Sequence, residues 1–125
     1  MNDQKLNQFA GQKYLNLETY RKSGAAVATP VWFAEDAGVL YIYSLANAGK
    51  VKRIRNNPRV RVMACGMRGE PKGEWVEGSA RILNAAGAER AHGLLDKKYG
   101  LIKKIGSLYS KLMKRERSTI AIELV

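Results

Sequence analysis

Apolar and polar residues alternate at every second position in six stretches of this chain. A period of two is typical of β-strands that bury one face and expose the other. Short turns that contain glycine, such as Lys22-Ser-Gly24, separate several of these stretches and predict hairpins. The six predicted strands span residues 13–20, 25–34, 39–44, 59–65, 74–83 and 118–125.

Between some of these stretches the apolar residues recur at three- and four-residue spacing, which predicts helices. A short polar helix is predicted over residues 3–10. A basic helix lies between the third and fourth strands, with Asn47 as its capping candidate and Pro58 at its end. Two amphipathic helices, over residues 88–99 and 101–113, are predicted before the last strand.

The order of these elements predicts one α+β domain over residues 1–125, in which helices pack on a β-barrel. No apolar run approaches the ~20 residues that a membrane-spanning helix needs. The polar start of the chain also lacks the apolar segment of a signal peptide. We therefore expect a cytoplasmic protein with no membrane partner.

A net charge of +11 is the unusual feature of the composition. It favours an anionic partner, which is a nucleic acid, a membrane surface or an acidic small molecule. The cations are spread over many predicted elements, and no aromatic-rich RNA-binding sheet is evident, which disfavours nucleic acid. Charge alone does not choose between the other two.

The chain offers few residues for metal or nucleophilic chemistry. Cys65 is the only cysteine and His92 the only histidine, so the usual nitrogen and sulfur ligands of a zinc site are missing. A nucleophilic triad would have to use that one histidine, and no Gly-x-Ser-x-Gly motif accompanies it. We therefore expect no metal and name no catalytic side chain.

The basic helix is the most informative stretch for binding. Val51 and Ile54 share one narrow apolar face, whereas Lys50 and Arg53 lie together on a flank. Two neighbouring cations at a helix start suit an anionic group such as a phosphate. The alternative is a short basic helix that is only solvated.

Pro30 lies inside the second predicted strand. Proline cannot donate a backbone hydrogen bond, so it belongs at a strand edge or a bulge. We therefore expect incomplete strand pairing near this residue.

These residues resemble a known family. The segments Ala28-Thr-Pro-Val-Trp-Phe33, Leu40-Tyr-Ile-Tyr-Ser44 and Gly49-Lys-Val-Lys-Arg53, followed by Asn57-Pro-Arg-Val60, resemble the pyridoxamine-phosphate-oxidase-like split-barrel flavoproteins. The segment Trp75-Val-Glu-Gly-Ser-Ala-Arg81 is similar to the deazaflavin-dependent branch of that family. The resemblance extends over residues 12–124.

The resemblance implies a six-stranded split β-barrel that forms a homodimer, with the cofactor at the subunit interface. It implies that Lys50 and Arg53 hold the cofactor phosphate, with Ser44 and Lys52 as further candidates. The strand around the proline would contact the ring. The residues implied for the ring are Thr29, Pro30, Val31 and Trp32, with Trp75 as a candidate for which packing on a strand is the alternative.

The function implied is that of an oxidoreductase that transfers hydride to or from a small organic substrate. The branch favours coenzyme F-420 over FMN, and a charge of +11 suits the acidic tail of F-420. The alternatives are an FMN-binding protein or oxidase of the same family, a nucleic-acid-binding module, and a membrane-surface protein that uses residues 101–114.

Overall fold

The computed structural model describes residues 5–45, 48–99 and 117–125. The six strands in these ranges are antiparallel and form a closed barrel in the order β1-β2-β3-β6-β5-β4. The strands are β1 (Tyr14–Tyr20), β2 (Ala26–Asp36), β3 (Val39–Leu45), β4 (Arg59–Cys65), β5 (Val76–Ile82) and β6 (Arg117–Leu124). A 3-10 helix (Asn7–Phe9) and two α-helices, α1 (Gly49–Asn56) and α2 (Ala85–Tyr99), accompany them.

The strands close around one apolar core because their inward positions are almost all aliphatic. Full burial of one such side chain contributes roughly 1.5–3 kcal/mol, so this interior is the main stabilising term. Helix α1 contributes two side chains to this core, and the 3-10 helix and β2 contribute one each. The buried core residues are Phe9, Leu15, Leu17, Phe33, Leu40, Ile42, Val51, Ile54, Val60, Val62, Ala64, Ala80, Ile120, Ile122 and Leu124.

The predicted split-barrel class with six strands is confirmed, and two strand boundaries differ from the prediction by two residues, while the others agree within one. Strand β2 runs on to Asp36, because the turn to β3 contains only Ala37 and Gly38, with φ angles of 51° and 83°. Two successive positive φ angles form the tight turn that matches the twist of a hairpin. Strand β5 begins at Val76, two residues later than predicted.

Residues 3 and 4 of the polar helix predicted over residues 3–10 lie outside the described residues. Of the remaining positions, Lys5 and Leu6 are helical and Asn7–Phe9 form a 3-10 helix. Phe9 enters the core, while the Gln8 amide bonds to two backbone groups. Its Nε2 donates to the carbonyl of Glu74 (2.9 Å), and its Oε1 accepts from the amide of Ala64 (2.9 Å).

Helix α1 ends where predicted. Asn57 is extended, its N–H still donates to the carbonyl of Arg53 (2.8 Å), and Pro58 follows. The capping candidate Asn47 and the amphipathic segment over residues 101–113 lie outside the described residues. Neither α1 nor α2 has the length and apolar character that crossing a bilayer requires.

Two glycines, one in the barrel and one on helix α2, differ in the space that a side chain would find. A Cβ on Gly78 of β5 would lie 3.0 Å from both the carbonyl oxygen of Glu123 and Cγ2 of Ile122. We expect Gly78→Ala to lower the free energy of unfolding by about 1–3 kcal/mol, because backbone must move. In contrast, a Cβ on Gly93 of α2 meets no described atom within 4 Å. Gly93→Ala should raise stability by about 0.5–1 kcal/mol through helix propensity.

Urea unfolding of both variants measures the difference. Equal effects of the two substitutions would contradict the close approach of β5 and β6 at Gly78.

Candidate functional site

The barrel opens between β2 and β3. These strands pair only from Phe33–Ile42 to Asp36–Val39, whereas β2 pairs with β1 along seven positions from Ala26 to Trp32. Within the described residues, the other edge of β2 therefore has no ladder partner from Ala26 to Val31. This agrees with the expectation of incomplete pairing near Pro30, which lies opposite Asn16 of β1.

The inward face of β2 becomes more exposed along this opening. Phe33 is fully buried, whereas Val31, Thr29 and Val27 on the same face are only partly buried. Their partners on β1 are fully buried residues such as Leu15 and Leu17. The opening is therefore a groove lined by the inner face of β2, and we call it the split.

Helix α1 brings a guanidinium to the split. Nε of Arg53 donates to Oγ1 of Thr19 at 2.6 Å, and Thr19 is the register partner of Val27 on β2. A Cβ on Gly49 would lie 2.7 Å from Nη1 of Arg53, so the glycine lets the guanidinium rest against the first turn of α1. Arg53 is therefore fixed at the end of the split that Val27 and Thr29 line.

Lys50 shares this corner and is partly buried. Burial lowers the pKa of Lys50, and the neighbouring charge of Arg53 lowers it further. No described carboxylate forms an ion pair with either residue. Four other arginines, by contrast, contact carboxylates: Arg59 with Glu77, Arg61 with Glu18, Arg81 with Glu123 and Arg90 with Asp36.

The start of α1 reinforces this positive corner. The helix has no acidic residue in its first turn, and no described side chain caps its N-terminus. Backbone N–H groups at a helix start carry partial positive charge and attract anions. Two like charges held together beside these groups favour an anionic ligand, since such a ligand relieves their repulsion.

The structure brings some predicted site residues together and separates others. Thr29 and Val31 face the split, and Lys50 and Arg53 stand at its end. Ser44 is buried near the end of β3, on the face that Leu40 and Ile42 turn to the core. Lys52 is exposed on α1, while Pro30 (exposed) and Trp32 (partly buried) lie on the opposite face of β2 from Thr29.

Trp75 lies apart from the Lys50–Arg53 pair. The guanidinium carbon of Arg61 is 5.1 Å from the centroid of the Trp75 ring. Arg61 is the register partner of Glu18, and both point away from the core side of β1 and β4. The arginine contact therefore fixes the Trp75 ring on the outer face of the barrel.

Sequence reasoning missed the network around Glu18. This buried carboxylate accepts two hydrogen bonds from Arg61 (2.6 and 3.0 Å) and one from the hydroxyl of Tyr20 (2.9 Å). The hydrogen bonds from Arg61 chiefly hold the pKa of Glu18 below its usual value. The role of Thr19 was missed as well, although a hydroxyl group on the apolar face of β1 could have indicated a polar partner. The alternation of apolar and polar residues does not reveal that Glu18 and Thr19 each bind an arginine.

Cys65 is not a nucleophile in this fold. It is buried, and burial raises the pKa of its thiol to about 11. The thiolate, which is the reactive form, is therefore scarce at neutral pH. Among the described residues, no group of three or more candidate ligands lies close enough together to hold a metal ion.

The comparisons with known proteins agree with this fold. The sequence profile described as pyridoxamine 5'-phosphate oxidase matches residues 2–124. The chain belongs to the pyridoxamine 5'-phosphate oxidase family. No curated protein sequence matches it at a significant level.

Solved structures of low sequence identity share the fold of this family member. A conserved hypothetical protein from Mycobacterium tuberculosis is 17% identical with a TM-score of 0.73, and the match covers 99% of this chain and 80% of the other. HutZ, the heme storage protein from Vibrio cholerae, is 13% identical with a TM-score of 0.69, with coverages of 98% and 89%. An FAD-binding protein from Mesorhizobium loti is 16% identical with a TM-score of 0.65, with coverages of 99% and 87%.

Because burial lowers the pKa of Lys50, we expect this residue to affect the free energy of unfolding. Without an anion, the charged lysine costs folding energy at pH 7, so we expect Lys50→Met to be more stable than the parent chain. In the folded chain the pKa of Lys50 lies below the ordinary value of 10.5, so this lysine loses its proton at a lower pH when folded than when unfolded. The energetic cost of burying the charge therefore disappears as pH rises from the folded pKa towards 10.5. The advantage of the variant should therefore shrink at high pH.

Urea unfolding in phosphate-free buffer at pH 7 and pH 10 measures this effect. Lys52→Met is the matched control, because it removes an exposed lysine from the same helix. A Lys50→Met protein that is less stable than the control at pH 7 would contradict the unfavourable burial of this charge.

Proposed function

We propose that this family member binds a phosphate-bearing flavin-type cofactor in the split and uses it to transfer hydride to or from a small organic substrate. The observation that carries the proposal is the Lys50–Arg53 pair, which is partly buried, lacks a described carboxylate partner and stands at the end of an open strand edge. The description of the Mesorhizobium loti neighbour as FAD-binding supports a flavin-type cofactor on this fold.

The residues at the split fit such a group. The phosphate would bind Lys50 and Arg53, where charge-assisted hydrogen bonds are strongest, together with the backbone N–H groups that begin α1. Ser44 and the exposed Lys52 are further candidates for the phosphate. The ring would lie along β2 from Thr29 to Trp32, where the ladder to β1 fixes the backbone, and the edge at Thr29 to Val31 has no described ladder partner.

When bound, the tricyclic ring would supply the hydride chemistry itself. The chain would hold and orient the ring and exclude water, so no catalytic side chain is required. The inert thiol of Cys65 agrees with this division of labour. Coenzyme F-420 is our first choice because the charge of +11 suits its acidic tail, and FMN is the second.

We also propose that the protein is a homodimer with the cofactor at the subunit interface. The split is open on the side of β2 that has no ladder partner, and a second copy would close it. Light scattering should therefore give twice the 13.9 kDa of one chain at micromolar concentration.

The phosphate site is tested by titration of cofactor-free protein with F-420, FMN and riboflavin. We expect Lys50→Ala or Arg53→Ala to weaken binding of the phosphate-bearing cofactor by about 1.5–3 kcal/mol, the range for hydrogen bonds to charged groups. Binding of riboflavin, which has no phosphate, should barely change. Arg55→Ala is the matched control, since Arg55 is an exposed cation on the same helix.

The same titration separates the alternatives. Preference for F-420 or for FMN identifies the cofactor, and transfer of hydride to an acceptor is then measured with that cofactor. Tight FMN binding without any transfer would indicate an FMN-binding protein rather than an enzyme. Unchanged affinity in the double variant Lys50→Ala, Arg53→Ala would remove the phosphate from α1.

Substitutions at two adjacent residues of β2, Ala28 and Thr29, test where the ring lies. Val31 packs against the core, so a large substitution there would disturb the fold as well as the split. Thr29 is partly buried on the same face, and the exposed Ala28 points the other way. We expect Thr29→Phe to weaken cofactor binding at least tenfold by filling the split, whereas Ala28→Phe should leave it unchanged.

Thermal melting of both variants without cofactor is the control for folding. Normal cofactor affinity in a folded Thr29→Phe protein would show that the ring lies elsewhere.

A further inference from the structure

A second concave site lies away from the Lys50–Arg53 pair. A cavity of 690 Å³ opens between the 3-10 helix, the end of β2 near the turn to β3, and the last turns of α2. This volume is within the range of sites that hold small organic ligands. The lining residues that matter are the apolar Leu6, Phe9, Phe33 and Leu94, with Lys98 among them.

Lys98 is held in one position at the wall of this cavity. Its Nζ donates to the carbonyl oxygen of Phe33 at 2.7 Å and lies 3.8 Å from the centroid of the Phe33 ring. That ring is itself fixed by an edge-to-face contact with Phe9, at 5.7 Å between centroids. A partly buried amine therefore sits on an aromatic wall rather than extending into water.

The surroundings make this amine unlike a surface lysine. Burial lowers the pKa of Lys98 to about 8. At pH 7.5 roughly a quarter of the side chain is then neutral, against about one part in a thousand for an ordinary lysine. Among the described residues, the other charged groups that line the cavity are Lys97 of α2 and Glu35 of β2. A neutral amine is a nucleophile towards carbonyl carbon.

We propose that this cavity takes small apolar aldehydes and that Lys98 captures them as imines. The amine nitrogen attacks the carbonyl carbon, so a C–N bond forms as the C=O π bond breaks. The oxygen then leaves as water with the two amine protons, and a C=N bond remains. No oxidant or reductant is needed, and the apolar walls hold the carbon chain of the aldehyde. The inference does not depend on the proposed cofactor.

The experiment uses the full chain with hexanal at pH 7.5. Sodium cyanoborohydride converts each imine into a stable secondary amine, and peptide mapping by mass spectrometry then gives the rate at every lysine. We expect Lys98 to be labelled at least ten times faster than Lys97, the exposed neighbour that lines the same cavity. The advantage of Lys98 should shrink as pH rises well above 8, because its amine is then already almost fully neutral and gains nothing more.

Two variants separate the cavity from general lysine reactivity. Lys98→Arg keeps the charge but cannot form an imine, so the fast labelling should disappear. Ala10→Trp narrows the cavity from its exposed rim and should slow capture of hexanal but not of acetaldehyde. Labelling of Lys98 no faster than Lys97 in the parent chain would overturn the proposal, whatever the stability of the variants. Reversible retention of hexanal without a covalent product would also overturn it.

Discussion

Closure of a small barrel around one core is the constraint on which this structure depends. Strand β1 pairs with β2 on one side and with β4 on the other, so its inward residues Leu15 and Leu17 are covered completely. Strand β3 pairs with β6 along its whole length, as far as Leu45. Since β2 stays with β1 and β3 stays with β6, the two strands diverge beyond Phe33. The split therefore follows from how the barrel closes, and it leaves the edge of β2 from Ala26 to Val31 without a ladder partner among the described residues.

The same closure concentrates positive charge at one end of the split. Helix α1 must turn Val51 and Ile54 into the core, and this orientation leaves Lys50 and Arg53 on the flank towards β1. Thr19 fixes the guanidinium, so the two cations cannot move apart freely. Apolar burial thus holds together two charges that repel each other. Stable folding therefore supplies the energy that keeps Lys50 and Arg53 close together.

The sequence predicted the strands well because each one buries a single face, and alternation reports that burial directly. It also predicted the pairing defect at Pro30 and the flank shared by Lys50 and Arg53, which are properties of one local segment. It missed the contacts between elements that lie far apart along the chain. The bond from Arg53 to Thr19 and the network of Arg61 with Glu18 join residues 34 and 43 positions apart. The contact of Lys98 with Phe33 was missed for the same reason.

The net charge of +11 indicates the kind of ligand only after the cations with carboxylate partners are separated from those without. Four arginines on the described surface have a carboxylate within 3.2 Å, so most of their field is neutralised locally. Lys50 and Arg53 have no such partner among the described residues, and Lys50 is also partly withdrawn from water. Attraction between charges is stronger where water is excluded. A phosphate at this corner would therefore gain more than one on the exposed surface, and this argues for a small anionic ligand rather than for a long polyanion spread over the barrel.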